Sequence, residues 1–274
     1  MEKEKQIYFH VGTGKTGTTY LQMKVFPFVK GVYYIPTNRY RKIFEILKES
    51  EEDRILVSRE FDRQMEREVK KFAEHYPNNT QAIVVFRRQD SYIASQYRRF
   101  VKNGYQGDLQ SFLDLENDKG FFKQEHLRYM DTVALLEEQF GCKPLVYFHD
   151  DMKKDPKAYV EKMLSDIGAY VDYEAINQKS FHTSYSEKQL KALRSFAKVI
   201  PMEKKRVFKN GVLHFLNRCV RGPLRYIVLY TAKILPDFMF SKTPLIAKED
   251  LEEVRSFFEK DWMMIQEYAN PKTD

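Results

Sequence analysis

Over its first 150 residues the sequence alternates short apolar runs with segments that have the periodicity of amphipathic helices. The apolar runs are rich in Val, Ile, Tyr and Phe, contain almost no charge, and lie at residues 6–11, 32–35, 55–58, 82–86 and 144–148. Strands covered by helices on both faces have this composition. The intervening helices are predicted at residues 18–28, 39–48, 62–75, 91–103 and 125–140. This alternation predicts the α/β class, with a parallel sheet between two layers of helices.

Beyond Asp155 the pattern becomes helical. Further helices are predicted at residues 156–167, 186–199, within 207–235, and at 248–269, and Ser186 with Gln189 has the spacing of a capping box. No internal repeat and no linker-like stretch divides the chain. We therefore expect one domain over residues 1–274, with an α/β core at 6–150 and a mainly helical part at 151–274.

Composition excludes several classes of protein. Hydrophobic residues make up 43% and charged residues 31% of the 274 residues, which excludes disordered and low-complexity chains. The two cysteines are too few for a disulfide framework and predict a reducing compartment. The amino terminus lacks the pattern of a signal peptide, and no apolar run reaches the length of a membrane span. The expected location is the cytoplasm.

A glycine-rich segment, Gly12–Thr19, follows the first predicted strand and leads into the first predicted helix. Free backbone amides at such a helix start favour an anion, and glycines let the main chain approach phosphate oxygens. Lys15 adds a positive charge, and the threonines add hydroxyl donors. The segment therefore predicts a phosphate-binding loop. It does not fit the nucleoside-triphosphatase pattern, because the first glycine required before Gly14-Lys15-Thr16 would fall on Phe9.

The segment resembles the phosphosulfate-binding loop of sulfotransferases that use 3′-phosphoadenylyl sulfate (PAPS), whose pattern is Gly-x-x-Lys-x-Gly-Thr-Thr. The matching residues are Gly12, Lys15, Gly17, Thr18 and Thr19. The resemblance implies a three-layer α/β/α, P-loop-like fold with a central, mainly parallel sheet. It also implies that the loop binds PAPS through Gly12, Thr13, Gly14, Lys15, Thr16, Gly17, Thr18 and Thr19.

A second family signature occurs downstream of the loop. It consists of a strand that ends in Arg and a Ser eight residues later on the next helix, which in the family hold the 3′-phosphate of PAPS. Arg87, after the predicted strand at 82–86, and Ser95 have this spacing. Arg offers a planar pair of donors to phosphate oxygens, and Ser adds a hydroxyl. Arg87 and Ser95 are therefore predicted to bind the cofactor.

Sulfuryl transfer needs a cation beside the leaving phosphate and a base for the acceptor hydroxyl. The resemblance implies that Lys15 is the cation and that no metal is required. Glu60, just after the predicted strand at 55–58, is the predicted catalytic base, because the carboxyl edge of a parallel sheet faces the ligand crevice. The alternative is that Glu60 is only a charge at a helix start. His10 is a weaker candidate, and His149-Asp150-Asp151 is interpreted as structural.

The net charge of +7 comes from one late segment. Residues 204–233 contain eight basic residues and no acidic residue, so the rest of the chain is close to neutral. Three interpretations stay open: contact with an anionic acceptor or a membrane surface, a loop over the cofactor at Lys209-Asn210-Gly211, and a solvated helical face. No nucleic-acid recognition motif is present, so nucleic acid is not an expected partner.

Together these features predict a sulfotransferase that transfers the sulfuryl group of PAPS to a hydroxyl, or less favourably an amine, of a glycan or glycolipid. Two alternatives stay open. One is a P-loop kinase that uses ATP and Mg²⁺, and the other is a non-catalytic protein that binds anionic glycans through residues 204–233.

Overall fold

The computed structural model describes residues 5–176, 185–200 and 211–271, without the side chains of residues 211 and 213–221. Residues 201–210, which include the candidate loop at Lys209-Asn210, lie outside the described residues. The described strands are β1 (Gln6–Gly12), β2 (Tyr33–Ile35), β3 (Arg54–Ser58), β4 (Thr80–Phe86) and β5 (Leu145–Phe148). They form one sheet in the order β2-β3-β1-β4-β5, and every pairing is parallel.

Helices connect and follow the strands. They are α1 (Thr18–Tyr20), α2 (Ile43–Glu49), α3 (Met65–Ala73), α4 (Gln89–Lys102), α5 (Leu109–Phe112), α6 (Tyr129–Phe140), α7 (His149–Lys154), α8 (Pro156–Asp166), α9 (Glu187–Val199), α10 (Gly211–Ile234), α11 (Lys248–Phe257) and α12 (Glu259–Ala269). A π-helical turn, Leu21–Val25, continues α1. The expected α/β class is confirmed.

Alternate residues of the central strand β1 pack into two separate cores. Ile7, Phe9 and Val11 belong to a core that includes residues of α3, α6 and α12, whereas Tyr8 belongs to a core that includes residues of α8. Because successive side chains of a strand point to opposite faces, the sheet lies between two helical layers. The expected three-layer α/β/α architecture with a parallel sheet is therefore confirmed.

The structure differs from the sequence expectation in local detail. The predicted helix at 248–269 is two helices, α11 and α12, because Phe258 between them leaves the helical conformation (φ −99°, ψ 7°). Short helices α5 and α7 were not predicted, since four and six residues are too few for a periodic pattern. The capping box at Ser186 is present, with Gln189 N donating to Ser186 Oγ at 3.3 Å.

The described residues divide into two compact units. The first contains residues 5–88, 125–176 and 258–271, and it holds the whole sheet. The second contains residues 89–124, 185–200 and 211–257, and it is helical. Among the helices described, none combines the length and the apolar character that crossing a membrane would require.

Candidate active site

The segment between β1 and α1 forms a tight loop at the carboxyl end of the central strand. Three of its residues have positive φ angles, Gly12 at 109°, Lys15 at 69° and Gly17 at 88°. A side chain at Gly17 would also collide with its neighbour, since a Cβ there would lie 2.5 Å from Met152 Sδ. The glycine of the sequence pattern is therefore required by the backbone at this position.

Two threonines of the loop use their hydroxyls inside the protein. Thr13 donates to the Val85 carbonyl from its backbone nitrogen at 3.2 Å and from Oγ1 at 3.3 Å. Thr16 Oγ1 donates to the Thr13 carbonyl at 2.6 Å, and both side chains are buried. These bonds fasten the loop to β4. Lys15 and Thr19 instead have exposed side chains.

Glu60 lies against this loop. The segment after β3 continues beside β1, with Arg59 N donating to the His10 carbonyl at 2.9 Å and Phe61 N to the Val11 carbonyl at 3.0 Å. Thr18 Oγ1 donates to Glu60 Oε2 at 2.5 Å. The structure thus places the predicted base and the start of α1 in direct contact.

A second carboxylate, Asp62, accompanies Glu60. A Cβ built on Gly14 would lie 2.7 Å from Glu60 Oε1 and 2.5 Å from Asp62 Oδ1, so both carboxylates occupy the space that a side chain at Gly14 would need. Sequence reasoning missed Asp62. Its position two residues after Glu60, past the same strand, was the available signal.

The second sequence motif meets the loop through Arg87. Arg87 follows β4, and its Nη1 donates to the Lys15 carbonyl at 3.3 Å. Its own carbonyl accepts a hydrogen bond of 2.6 Å from the Tyr129 hydroxyl on α6. Ser95 lies in α4, which belongs to the second compact unit, and its side chain is partly buried. The roles predicted for Arg87 and Ser95 in cofactor binding stay predictions.

His149, which the sequence analysis interprets as structural, begins α7 and lies near the loop. A Cβ on Gly17 would lie 3.7 Å from its Cδ2, and 12% of its side chain is exposed. Burial lowers the pKa of His149 to about 4, and the positive charges of Arg87 and Lys153 contribute to this shift. The negative charge of Asp150 opposes it. Its ring is therefore neutral near pH 7.

His10 is placed inside the protein. The side chain is fully buried, its ring packs edge-on against Phe26 at 5.5 Å, and its Nδ1 lies 2.8 Å from Ser58 Oγ. Burial lowers the pKa of His10 to about 4. The arrangement suits a neutral core residue. In the part of the chain that the structure describes, no cluster of three or more His, Cys, Asp or Glu side chains could hold a metal ion.

Comparisons with known proteins identify structures that share the fold of this chain. No protein-family model matches the chain, and neither does any curated protein sequence. A crystal structure of a sulfotransferase from Alicyclobacillus acidocaldarius is similar, with a TM-score of 0.50 and 14% identity over 70% of this chain and 92% of that one. A mouse sulfotransferase crystallised with 3′,5′-adenosine bisphosphate (PAP) gives a TM-score of 0.45 and 14% identity over 94% of this chain and 85% of that one. The bacterial structure shows that the chain shares a fold found among sulfotransferases.

Proposed function

We propose that the protein is a PAPS-dependent sulfotransferase. The observation that carries the proposal is the hydrogen bond from Arg87 to the Lys15 carbonyl, because it joins two sequence signatures that are 72 residues apart. Each signature alone has an ordinary structural explanation. Their meeting at the carboxyl end of β1, in a fold shared with a bacterial sulfotransferase, favours one site for a phosphorylated nucleotide.

The loop and Arg87 suit the anionic groups of the cofactor. The start of the helical segment after Gly17 and the side chain of Lys15 would bind the 5′-phosphosulfate. Arg87, with Ser95, would bind the 3′-phosphate, which ADP and ATP lack. The hydroxyls of Thr13 and Thr16 would support the loop rather than bind phosphate, since both donate to backbone carbonyls.

In the proposed reaction the acceptor oxygen attacks the sulfur of PAPS. The new bond joins that oxygen to sulfur, and the bond between sulfur and the oxygen of the 5′-phosphate breaks. The acceptor proton passes to Glu60, and the leaving 3′,5′-adenosine bisphosphate (PAP) keeps the electron pair on its phosphate oxygen, beside Lys15. General-base catalysis and electrostatic stabilisation are the two contributions asked of the protein.

Isothermal titration calorimetry with PAP and ADP tests the cofactor assignment. We expect PAP to bind at least about tenfold more tightly than ADP, because only PAP carries a 3′-phosphate that can accept charge-assisted hydrogen bonds from Arg87. Equal affinities, or binding of ADP that requires Mg²⁺, would instead favour the P-loop kinase. Incubation with ³⁵S-labelled PAPS and a panel of glycans, glycolipids and amines then identifies the acceptor.

One face of α10 supports the proposal that the acceptor is a glycolipid or another molecule at a membrane surface. Leu229 and Ala232 are buried in the second unit, whereas Ile227, Tyr230 and Ile234 are exposed on the same helix. Exposed apolar residues within or next to a strongly basic segment suit the surface of an anionic membrane.

Cosedimentation with vesicles of phosphatidylcholine and phosphatidylserine tests this contact. Replacing Ile227 and Ile234 with Glu should abolish binding to vesicles that contain phosphatidylserine. Val199→Glu, which changes an exposed apolar residue of α9, is the matched control and should leave binding unchanged. Equal sedimentation of the unmodified protein, the Ile227 and Ile234 double variant and Val199→Glu would contradict the proposal.

A further inference from the structure

A cavity of about 640 Å³ lies in the first unit, beside the segment that carries Glu60. Its walls come from the residues before α2 and the first turn of α2, from the segment after β3, and from α3. Arg59 and Phe61 both line it, and they are the residues on either side of Glu60. The cavity therefore borders the backbone segment that carries the proposed base.

The walls are strongly basic. The described lining includes the cations Arg41, Arg59, Arg67 and Lys71, and the carboxylate of Glu68. Arg67 Nη2 and Glu68 Oε1 pair with each other at 2.7 Å, so their charges compensate. Three positive charges remain, and they would attract an anion into the cavity.

Contacts with Tyr40 and β1 hold Arg59 in place, but one nitrogen of its guanidinium makes no hydrogen bond in the described structure. Its guanidinium lies over the ring of Tyr40, with 5.7 Å between the guanidinium carbon and the ring centre, and its backbone is bonded to β1. Yet its buried Nε has no hydrogen-bond partner in the described structure. A buried donor without an acceptor is costly, and a bound carboxylate or sulfate would supply the acceptor after a small movement of the side chain.

Aromatic side chains form part of the remaining wall, together with Ile43 and Gln64. The aromatic lining consists of Tyr40, Phe44 and Phe61. Burial and the negative charge of Glu68 raise the pKa of Tyr40, whereas the positive charge of Arg59 opposes this shift. The Tyr40 hydroxyl is therefore uncharged near pH 7. Flat aromatic surfaces with a polar hydroxyl suit a sugar ring, which presents CH groups on its faces and hydroxyls at its edge.

We infer that this cavity binds an anionic sugar unit of the acceptor, next to the unit whose hydroxyl is sulfated. Side chains alternate in an extended segment, so Arg59 and Phe61 face away from Glu60. A single ring in the cavity would not present its hydroxyl to Glu60, but a neighbouring ring in the same glycan would. The inference rests on the proposed function, and it makes the acceptor at least a disaccharide that carries a carboxylate or a sulfate ester.

Two matched pairs of probes separate the possible anions. The first pair is the disaccharide glucuronic acid-β1,3-N-acetylgalactosamine and its carboxyl-reduced form. The second pair is N-acetyllactosamine 6-sulfate and N-acetyllactosamine. Affinities are measured by calorimetry on the full chain, with and without PAP. We expect the anionic member of at least one pair to bind about tenfold or more tightly than its neutral partner, and that pair identifies the anion.

Variants then locate the effect in the cavity. Arg59→Gln should remove the preference for the anionic sugar, and Lys71→Gln, which changes an exposed cation that packs near Phe44, should reduce it severalfold. Arg39→Gln is the matched control, because Arg39 is exposed and its Nη1 donates to the Tyr33 hydroxyl outside the cavity lining. It should leave all affinities within twofold.

The outcomes distinguish this inference from the proposed function. Equal affinity for the two members of each pair would overturn the inference, whether or not PAP binds more tightly than ADP. A preference that Arg59→Gln and Lys71→Gln leave intact would also overturn it. Failure of PAP to bind more tightly than ADP would overturn the sulfotransferase proposal. A charge preference that Arg59→Gln removes and Lys71→Gln reduces would still place an anionic sugar in the cavity.

Discussion

Thr18 Oγ1 and Glu60 Oε2 are joined by a hydrogen bond of 2.5 Å, which connects the start of α1 to the segment after β3. The bond fixes one oxygen of the Glu60 carboxylate and leaves the other beside Gly14. A base must be held at a defined position to accept a proton from a bound hydroxyl. In the proposed mechanism Thr18 is therefore a positioning residue for Glu60.

Glu60→Gln should reduce turnover at saturating PAPS by about a hundredfold or more, because an amide cannot accept the acceptor proton. Glutamine can still accept the bond from Thr18, so PAP affinity should change less than threefold. Turnover is followed with ³⁵S-labelled PAPS, and affinity by calorimetry. Glu66→Gln, at an exposed position on α3, is the control and should retain full activity. Normal turnover of Glu60→Gln would show that Glu60 is not the base, and Asp62 would then be tested.

Arg87→Ala should weaken PAP binding by about tenfold to a hundredfold, the usual value of a charged hydrogen-bonding partner. Affinity for ADP should change less than twofold, because ADP lacks the 3′-phosphate. Since Arg87 also contacts the Lys15 carbonyl, an equal loss for both nucleotides would indicate a distorted loop instead.

Ser95→Ala should weaken PAP binding by about tenfold or more, the value of one hydrogen bond to a charged group. Ser91→Ala, one turn earlier on α4, is the matched control for this substitution. Calorimetry with PAP compares the two variants. Equal affinities of Ser95→Ala and Ser91→Ala would remove Ser95 from the cofactor site.

Gly17→Ala should destabilise the protein by about 2–3 kcal/mol, because it combines a left-handed backbone with a close contact to Met152. Gly141, after α6, offers the comparison, since it also has a positive φ (66°) but nothing lies within 4 Å of a Cβ built there. Gly141→Ala should cost only about 1 kcal/mol. Urea unfolding measures both free energies. Equal costs would mean that Met152 moves aside easily.

Stability should fall between pH 7 and pH 5, partly because of His10. Burial lowers the pKa of His10 to about 4 in the folded protein, whereas the unfolded chain takes up a proton near pH 6.5. The unfolded state therefore binds more protons in this range. The contribution of His10 to the free energy of unfolding is present above pH 6.5 and declines as the pH falls, by about 2 kcal/mol at pH 5.

His10→Gln should reduce this pH dependence by about the same amount, as measured by urea unfolding at pH 7 and pH 5. An unaltered pH dependence in His10→Gln would show that the pKa of His10 is the same in the folded protein as in the unfolded chain.

The sheet could be predicted from sequence because its strands are nearly free of charge. A strand covered on both faces must be apolar throughout, and the runs at 82–86 and 144–148 coincide with β4 and β5 to within two residues. The break at Phe258 could not be predicted, since the apolar pattern continues through it. Nor could the division into two compact units, because no change in composition marks residue 88.

At the site, sequence motifs indicated which residues lie near the loop but not how their polar groups are used. The pattern grouped Thr13, Thr16 and Thr18 as cofactor-binding residues. In the structure the first two donate to backbone carbonyls and the third to Glu60. Such assignments depend on distances between segments far apart in the chain. For the same reason Asp62 was missed and His149 was given no role at the site, since both become neighbours of the loop only when the sheet forms.

The central position of β1 has a consequence for folding. The residue pairs that hold it, such as His10 with Ser58 and Thr13 with Val85, are 48 and 72 residues apart. Such distant contacts form slowly, because closing the long intervening loop costs conformational entropy before the contacts can stabilise the structure. The loop after β1 therefore reaches its final shape only after β4 has been synthesised and paired. A nucleotide bound there would stabilise only chains in which β1 and β4 have paired, so the fraction of chains that bind nucleotide would report how many have completed the sheet.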